Sequence, residues 1–149
     1  LLRRTAAEVP ERVALVEGIA DPASRRRWTY AALLRESERV ARALLGRFRV
    51  GERVVVYASN SPEWVLLQHG MSLAGIVLVP VNPAYTAREL EYVVRNCGAA
   101  GVFFEETYRG RDLREVVAGL GADQAPRRRT LHHELDELSF FDDGGADFE

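Results

Sequence analysis

Gly51–Phe104 reads GERVVVYASNSPEWVLLQHGMSLAGIVLVPVNPAYTARELEYVVRNCGAAGVFF and contains three short apolar runs, Val54–Tyr57, Ile76–Val81 and Gly101–Phe104. Short runs rich in valine, isoleucine and phenylalanine, bounded by glycine, asparagine and proline, are typical of strands buried on both faces of a parallel sheet. Each gap between the runs is long enough for a crossover helix. The stretch therefore predicts a Rossmann-like parallel β-α-β-α-β unit of the α/β class, with right-handed connections.

Both predicted helices of this unit carry capping signals. The tripeptide Ser61-Pro62-Glu63 supplies a hydroxyl cap, a proline at the first helical position and an acid in the first turn. This helix is predicted over Trp64–Ala74, with a stop at the next glycine. Thr86 and Glu89 have the spacing of a capping box at the start of the second helix. The apolar stripe of the second helix is Leu90, Val93, Val94 and Cys97.

The segment before the central unit predicts a small hairpin and a long helix. Val13–Val16 and Arg27–Thr29 are two short strand candidates on either side of a turn at Asp21–Ser24. Thr29 is also a suitable cap for a helix that ends at Gly46. The helix has an apolar stripe with a 3.6-residue period that only its serine interrupts: Tyr30, Leu33, Leu34, Ser37, Val40, Ala41, Leu44 and Leu45.

The segment after the central unit carries weaker signals. Glu105–Gly110 is predicted to be a surface loop, Asp112–Leu120 a helix and Arg127–Leu131 a short strand. From His132 onward the pattern fades, and we expect a frayed end.

Composition narrows the class of protein. The 149 residues are the size of one domain, and 20 basic against 22 acidic side chains argue against a nucleic-acid-binding domain. No apolar run approaches the length of a transmembrane span, and the first residues lack the apolar core of a signal peptide. One cysteine fits a reducing compartment, and we expect a cytoplasmic protein. All 20 basic residues are arginine, so chemistry that needs a lysine has no donor in this chain.

The turns that follow the first two strands are candidates for phosphate binding. A phosphate loop needs glycines that let backbone N–H groups approach the anion. Ala58–Ser61 and Asn82–Thr86 contain none. The sequence therefore favours helix caps and tight turns at both places.

Four other groups were weighed as functional candidates, and each has a stronger structural interpretation. His132-His133 lacks metal-ligand spacing, so a solvated polar segment is favoured. The runs Arg25–Arg27 and Arg127–Arg129 stand next to turns and are interpreted as solvated loops. His69 is predicted to be a hydrogen-bonded core histidine, and Cys97 to pack in the core. Trp64 and Tyr85 are also interpreted as packing residues, although aromatic residues near strand ends can line a pocket.

Residues 8–104 resemble the N-terminal region of the AMP-forming acyl-CoA synthetases, which belong to the adenylate-forming ligase superfamily. The order and spacing of the matching pieces carry the resemblance, which is closest to the fatty-acyl branch. Those pieces are Pro10–Val16, Trp28–Tyr30, Gly51–Val54, Ser59–Trp64, Ala74-Gly75, Val79–Tyr85 and Glu89–Tyr92.

The resemblance implies the following function. Enzymes of this family are acid–thiol ligases, which activate a fatty or other carboxylic acid with Mg-ATP, release pyrophosphate and transfer the acyl group to coenzyme A. Residues 1–131 would be the N-terminal part of the large AMP-binding domain, and residues 132–149 an acidic, disordered tail. The family's Ser/Thr/Gly-rich loop with its lysine, its Tyr-x-x-Thr-Glu-like segment, its ribose-binding aspartate and its C-terminal lysine lie beyond the matched region.

The chain is therefore expected to be a fragment that is inactive alone. We predict no catalytic, cofactor-binding or metal-binding residue in it, with ATP, magnesium and coenzyme A bound by the full-length enzyme. Its expected partners are the remainder of the enzyme, the carboxylic acid substrate and, in an oligomer, a second copy. Two alternatives stay open: a stand-alone Rossmann-like module that binds a small molecule, and a non-catalytic domain that completes its sheet with a partner protein.

Overall fold

The structure is a computed structural model that describes residues 1–120 and the strand at residues 127–130. The predicted tail at residues 132–149, including His132-His133, lies outside the described residues, as do the side chains of Arg127–Arg129. The α-helices are α1 (Leu2–Glu8), α2 (Tyr30–Leu45), α3 (Pro62–Leu73), α4 (Ala87–Cys97) and α5 (Leu113–Ala118). The strands are β1 (Val13–Val16), β2 (Arg27–Thr29), β3 (Arg53–Tyr57), β4 (Val77–Val81), β5 (Gly101–Phe104), β6 (Thr107–Tyr108), β7 (Arg111–Asp112) and β8 (Arg127–Thr130).

Four parallel strands form the central sheet in the order β4-β3-β5-β8. Val55 of β3 stands opposite Val79 of β4 on one side and Val102 of β5 on the other. The predicted parallel β-α-β-α-β unit is therefore confirmed, as is the strand predicted at its C-terminal side. The antiparallel hairpin of β1 and β2 is also present, with one irregularity in its register.

Helices cover both faces of this sheet. The strands that follow β3 in the chain, β4 and β5, lie on opposite sides of it, so the crossover helices α3 and α4 pack on opposite faces. One face packs α2 and α3 against Val54, Val56 and Phe103. The other packs α4 and α5 against residues that alternate with these, among them Val55 and Tyr57. Both faces of β3 and β5 are thus buried, which is why their apolar runs show no alternation, whereas β4 is partly exposed.

Close contact between α2 and α3 depends on a glycine. A Cβ atom added at Gly70 would lie 2.5 Å from Val40 Cγ1, so no larger residue fits without displacement. The serine that interrupts the apolar stripe of α2 is fully buried. Its hydroxyl is satisfied within the helix, because Ser37 Oγ donates to the carbonyl oxygen of Leu33 at 2.6 Å.

The predicted caps are present. Ser61 Oγ accepts from the N–H of Trp64 at 3.1 Å, and Thr29 Oγ1 accepts from the N–H of Ala32 at 3.2 Å. Thr86 forms the complete capping box of α4. The helix predicted over residues 64–74 begins two residues earlier, because Pro62 and Glu63 are already helical behind the serine cap.

The prediction of a surface loop at Glu105–Gly110 is partly wrong. Thr107–Tyr108 and Arg111–Asp112 pair as a small antiparallel hairpin. Arg109 and Gly110 form its two-residue turn with φ values of 47° and 80°. Two successive left-handed residues give the twist that suits a tight hairpin, and this explains why so short a segment can pair.

In the described part of the chain, no helix has both the length and the apolar content needed to cross a membrane.

Candidate functional site

An open cleft lies at the carboxyl ends of β3 and β4. Its volume is about 410 Å³, and its lining is uncharged: Ala58, Ser59, Asn60, Trp64, Pro80, Val81, Asn82, Pro83 and Tyr108. In open α/β sheets, ligands bind beyond the carboxyl ends of the strands, where successive crossovers run to opposite sides. β3 is such a point here, since β4 and β5 flank it on opposite sides. The cleft is therefore where the fold favours a small-molecule site.

Two loops of this end are joined by a carboxylate. Glu105, just after β5, accepts from the Ser59 N–H at 3.0 Å and from the Ser59 hydroxyl at 2.6 Å. Both side chains are partly buried, so water competes only weakly for these bonds. The loop after β3 is thus fixed to the end of β5 by two charge-assisted hydrogen bonds.

The turn between β4 and α4 is held from two directions. The Tyr57 hydroxyl donates to the carbonyl oxygen of Tyr85 at 2.6 Å. The Arg111 guanidinium donates to the same oxygen and to that of Ala84, both at 3.0 Å. Arg111 belongs to the β6–β7 hairpin, which also carries Tyr108 of the cleft lining. Two walls of the cleft are therefore connected through Arg111.

Burial raises the pKa of the Tyr57 phenol above its ordinary value, although the nearby Arg111 guanidinium opposes the rise. The hydroxyl consequently keeps its proton well beyond neutral pH. It acts as a hydrogen-bond donor to the turn and is not poised to act as a base.

The turns weighed as phosphate-binding loops use their polar groups locally. Asn82 Oδ1 accepts from the N–H of Ala84 at 2.9 Å. The N–H of Thr86 donates to the Glu89 carboxylate at 2.7 Å, and this carboxylate has a lowered pKa because of its bonds to the Thr86 backbone and hydroxyl. Caps and tight turns are therefore observed at these positions.

Arg26 of the first arginine run lies in an exposed loop, as interpreted, but it also makes specific contacts. Its guanidinium forms ion pairs at 2.7 Å with both Glu17 and Glu63 and lies over the ring of Trp28. Arg26 thereby joins the hairpin to the first turn of α3. Arg25 donates to the carbonyl oxygen of Ile19 at 2.8 Å.

The remaining candidates occupy structural positions. Cys97 is partly buried in the α4–α5 core, and Trp64 packs against the α2–α3 core while also lining the cleft. Tyr85 was predicted to pack, and the residue is 39% exposed, with its carbonyl oxygen accepting from the Tyr57 hydroxyl. His69 is half-buried with a pKa lowered by burial, but among the described residues its ring makes no hydrogen bond. The prediction of a hydrogen-bonded core histidine is therefore wrong.

The chemical groups at the cleft differ from those that usually hold a metal-bound phosphate. Over residues 1–120 and 127–130, no three His, Cys, Asp or Glu side chains come together as metal ligands. The cleft lining carries no cation, and the chain has no lysine to offer a phosphate.

Sequence reasoning missed the three residues that connect the loops, namely Tyr57, Glu105 and Arg111. Tyr57 was predicted only as part of an apolar run and Glu105 as part of a surface loop, while Arg111 fell between two predicted elements. Glu105 and Ser59 are 46 residues apart, so no local spacing marks the pair. The charged residue directly after a buried strand was the one available signal for Glu105.

Comparison with known proteins gives a match of residues 2–146 to the family model described as "AMP-binding enzyme". The chain is 42% identical over 120 residues to the rat protein named "Medium-chain acyl-CoA ligase ACSF2, mitochondrial". The matched region covers 78% of this chain and 18% of that protein. The chain is 34% identical over 122 residues to "Putative acyl-CoA synthetase YngI" of Bacillus subtilis, covering 80% of this chain and 21% of the relative. The chain thus spans about a fifth of the length of the curated relatives it matches.

Solved structures share the fold. The N-terminal subdomain of Klebsiella oxytoca NpsA, solved with 3-hydroxybenzoyl-AMSN, superposes with a TM-score of 0.76 at 19% identity, covering 99% of this chain and 33% of that one. O-succinylbenzoate coenzyme A synthetase (MenE) of Bacillus subtilis, solved with ATP and magnesium, gives 0.73 at 21% identity, covering 99% and 35%. At these identities the likeness concerns the fold alone.

Proposed function

This chain belongs to the AMP-binding enzyme family, and we propose that it forms the first part of the large domain of an AMP-forming acyl-CoA synthetase. The whole enzyme would convert a carboxylic acid and ATP to an acyl-adenylate and pyrophosphate, and then pass the acyl group to the thiol of coenzyme A with release of AMP. The observation that carries the proposal is 42% identity to an acyl-CoA ligase over 120 residues. The names of the relatives support a medium-chain fatty acid as substrate.

Within that enzyme the chain supplies framework and one wall of a binding site. Its described residues do not suit ATP or magnesium, so we place the groups that hold Mg-ATP and the catalytic residues outside this chain. The cleft at the ends of β3 and β4 is uncharged, with two aromatic side chains and two amides in its lining. Such a lining suits the uncharged portions of the reactants, meaning an acyl chain or the amide-bearing arm of coenzyme A, and does not suit phosphate.

The proposal that the chain is inactive alone is tested by incubating the purified polypeptide with octanoate, ATP and Mg²⁺. We expect no acyl-adenylate by mass spectrometry, because the cleft lining carries no cation and no metal-ligand cluster is found among the described residues. Formation of acyl-adenylate above a protein-free control would overturn this part of the proposal.

The proposal for the whole enzyme is tested with a chimera. Residues 1–120 replace the corresponding segment of the Bacillus subtilis relative, and octanoyl-CoA formation is measured against the unaltered relative. We expect activity to survive, since the two segments share the family framework. A folded chimera that forms neither adenylate nor thioester would show that this chain does not serve that chemistry.

The cleft also favours a second candidate, a stand-alone small-molecule-binding module. Calorimetry with AMP and octanoate on the isolated chain distinguishes the two. Saturable binding of AMP would favour the module, because we expect a framework segment with an uncharged cleft to bind no nucleotide by itself.

Partners and location follow from the same proposal. β4 is a sheet edge in the described residues, and Val77 on it is 48% exposed. We propose that the remainder of the enzyme covers this edge; sedimentation of the isolated chain as a stable monomer would contradict that, and a discrete dimer would favour a homo-oligomer. We propose a cytoplasmic location from the single unpaired cysteine, and immunodetection in an organelle fraction would contradict it.

A further inference from the structure

We propose that Tyr57, Glu105 and Arg111 are positioning residues that hold the three loops around the cleft in one fixed arrangement, so that ligand affinity depends on them although none of them lines the cleft. This inference rests on the proposed function of the cleft as a site for an uncharged part of the reactants. Below, these three residues are called the loop clamp.

Each member of the loop clamp joins two different loops. Glu105 connects the end of β5 to the loop after β3 through Ser59. Tyr57 connects the end of β3 to the turn between β4 and α4 through the Tyr85 carbonyl oxygen. Arg111 connects that same turn to the β6–β7 hairpin. The two sets of bonds are connected by the backbone of β3 and by the short segment between Glu105 and the hairpin.

The residues that line the cleft lie on the loops that the clamp joins. Ser59 and Asn60 stand on the loop after β3, Asn82 and Pro83 on the turn after β4, and Tyr108 on the hairpin. On these loops Asn60 and Asn82 are exposed, whereas Ala58 and Pro83 are buried. Side-chain bonds from outside the cleft act together with the buried residues to set the distances between its walls. Such supporting contacts keep a site preorganised for its ligand.

Two features show that the clamp is specific. The Tyr85 carbonyl oxygen accepts from two donors, Tyr57 and Arg111, so both lone pairs are used. Arg111 donates to two neighbouring carbonyl oxygens at 3.0 Å with one planar guanidinium. A lysine in its place could not span both oxygens in this way.

The clamp is tested on the 149-residue chain by amide hydrogen exchange in the variants Tyr57→Phe, Glu105→Gln and Arg111→Ala. Matched controls of the same chemical kind are Tyr92→Phe, Glu91→Gln and Arg95→Ala on the exposed face of α4. We expect exchange of the Tyr85 amide to rise about tenfold in Tyr57→Phe and more in Arg111→Ala, as one or two hydrogen bonds are lost. Exchange of the Val54–Val56 amides should stay unchanged, and the controls should match the wild type. Unchanged Tyr85 exchange in Arg111→Ala, or an equal rise in the Val54–Val56 amides, would overturn the clamp.

Ligand binding is then followed by the Trp64 indole signal in NMR titrations with pantetheine and, separately, octanoate. The probe that shifts the Trp64 signal identifies which uncharged group the cleft binds. In the clamp variants, the dissociation constant of that probe should rise at least fivefold. Clamp variants that bind as tightly as the wild type would overturn the inference. A wild-type chain that responds to neither probe would instead contradict the proposed function of the cleft, while the exchange data still judge the clamp.

Discussion

The two ends of the central sheet are closed by different kinds of bond. At the amino end, backbone joins backbone: Gly51 N–H donates to Gly75 O at 2.8 Å, and Val77 N–H to Glu52 O at 2.9 Å. Glycines with positive φ allow these tight approaches. At the carboxyl end, the loops are joined mainly by side chains, from Glu105 to Ser59 and from Tyr57 and Arg111 to the Tyr85 region.

This difference shows where the fold permits variation in chemistry. Backbone closure at the amino end needs glycine at a few positions and is indifferent to most other side chains. Closure at the carboxyl end uses particular hydroxyl, carboxylate and guanidinium groups, so we expect conservative substitutions of these polar groups to change the cleft more than the sheet. The carboxyl end is therefore the end at which the molecule can be specialised.

The largest expected loss of unfolding free energy follows from removing a whole side chain at the carboxyl end of the sheet. Tyr57 is fully buried and carries both packing and a hydrogen bond. We expect Tyr57→Ala to lower the free energy of unfolding by about 3–5 kcal/mol, and Tyr57→Phe by only about 1 kcal/mol. Urea denaturation followed by circular dichroism measures both. Equal losses in the two variants would show that the hydroxyl, and not the ring, dominates.

The next largest effect is expected from a substitution at the amino end of the sheet. Gly75 has a φ of 68°, and a Cβ atom there would lie 3.0 Å from Val50 Cγ1. Gly75→Ala should cost about 2 kcal/mol of unfolding free energy, from left-handed strain and this contact together. Gly51→Ala is the control, since its φ is 83° but no atom lies within 4 Å of the added Cβ. The control should be milder, and the difference isolates the contact with Val50.

A carboxylate at each end sharpens the comparison. Glu105→Gln should cost about 1–2 kcal/mol of unfolding free energy, because two charge-assisted bonds to partly buried Ser59 are weakened. Glu52→Gln at the amino end should cost less, since its carboxylate caps the exposed N–H of Arg49 only. Denaturation curves for the pair test this order, and a larger loss for Glu52→Gln would reverse the assignment of side-chain closure to the carboxyl end.

The smallest expected effect is pH-dependent. Bonds to the Thr86 backbone and hydroxyl lower the pKa of Glu89, so this group stabilises the folded state fully above the ordinary glutamate pKa. That contribution is lost as the pH falls below about 4, through the lowered pKa. The protection factors of the amides in the first turn of α4, which are exchange rates corrected for the intrinsic pH dependence of exchange, should fall there in the wild type and change little with pH in Glu89→Gln. An equal fall in both chains would refute this role of the capping box.

Sequence patterns predicted the framework well because its causes are local. Valine-rich runs, the serine and threonine caps and the glycines after α3 and α4 act within a few residues of themselves. The carboxyl end was not predictable in the same way, since Glu105 meets Ser59 only after the chain has crossed the sheet. The ion pairs of Arg26 with Glu17 and Glu63 were not predicted for the same reason. Polar contacts between distant residues have no periodicity that a single sequence can show.

The central place of β3 has a consequence for synthesis on the ribosome. Both neighbours of β3 come later in the chain, and its second neighbour is complete only at Phe104, 47 residues after Tyr57. At a synthesis rate of about 5–20 residues per second, β3 therefore has an unpaired edge for roughly 2–10 s before β5 has been synthesised. We therefore expect a nascent-chain chaperone to engage the polypeptide between the emergence of β3 and that of β5.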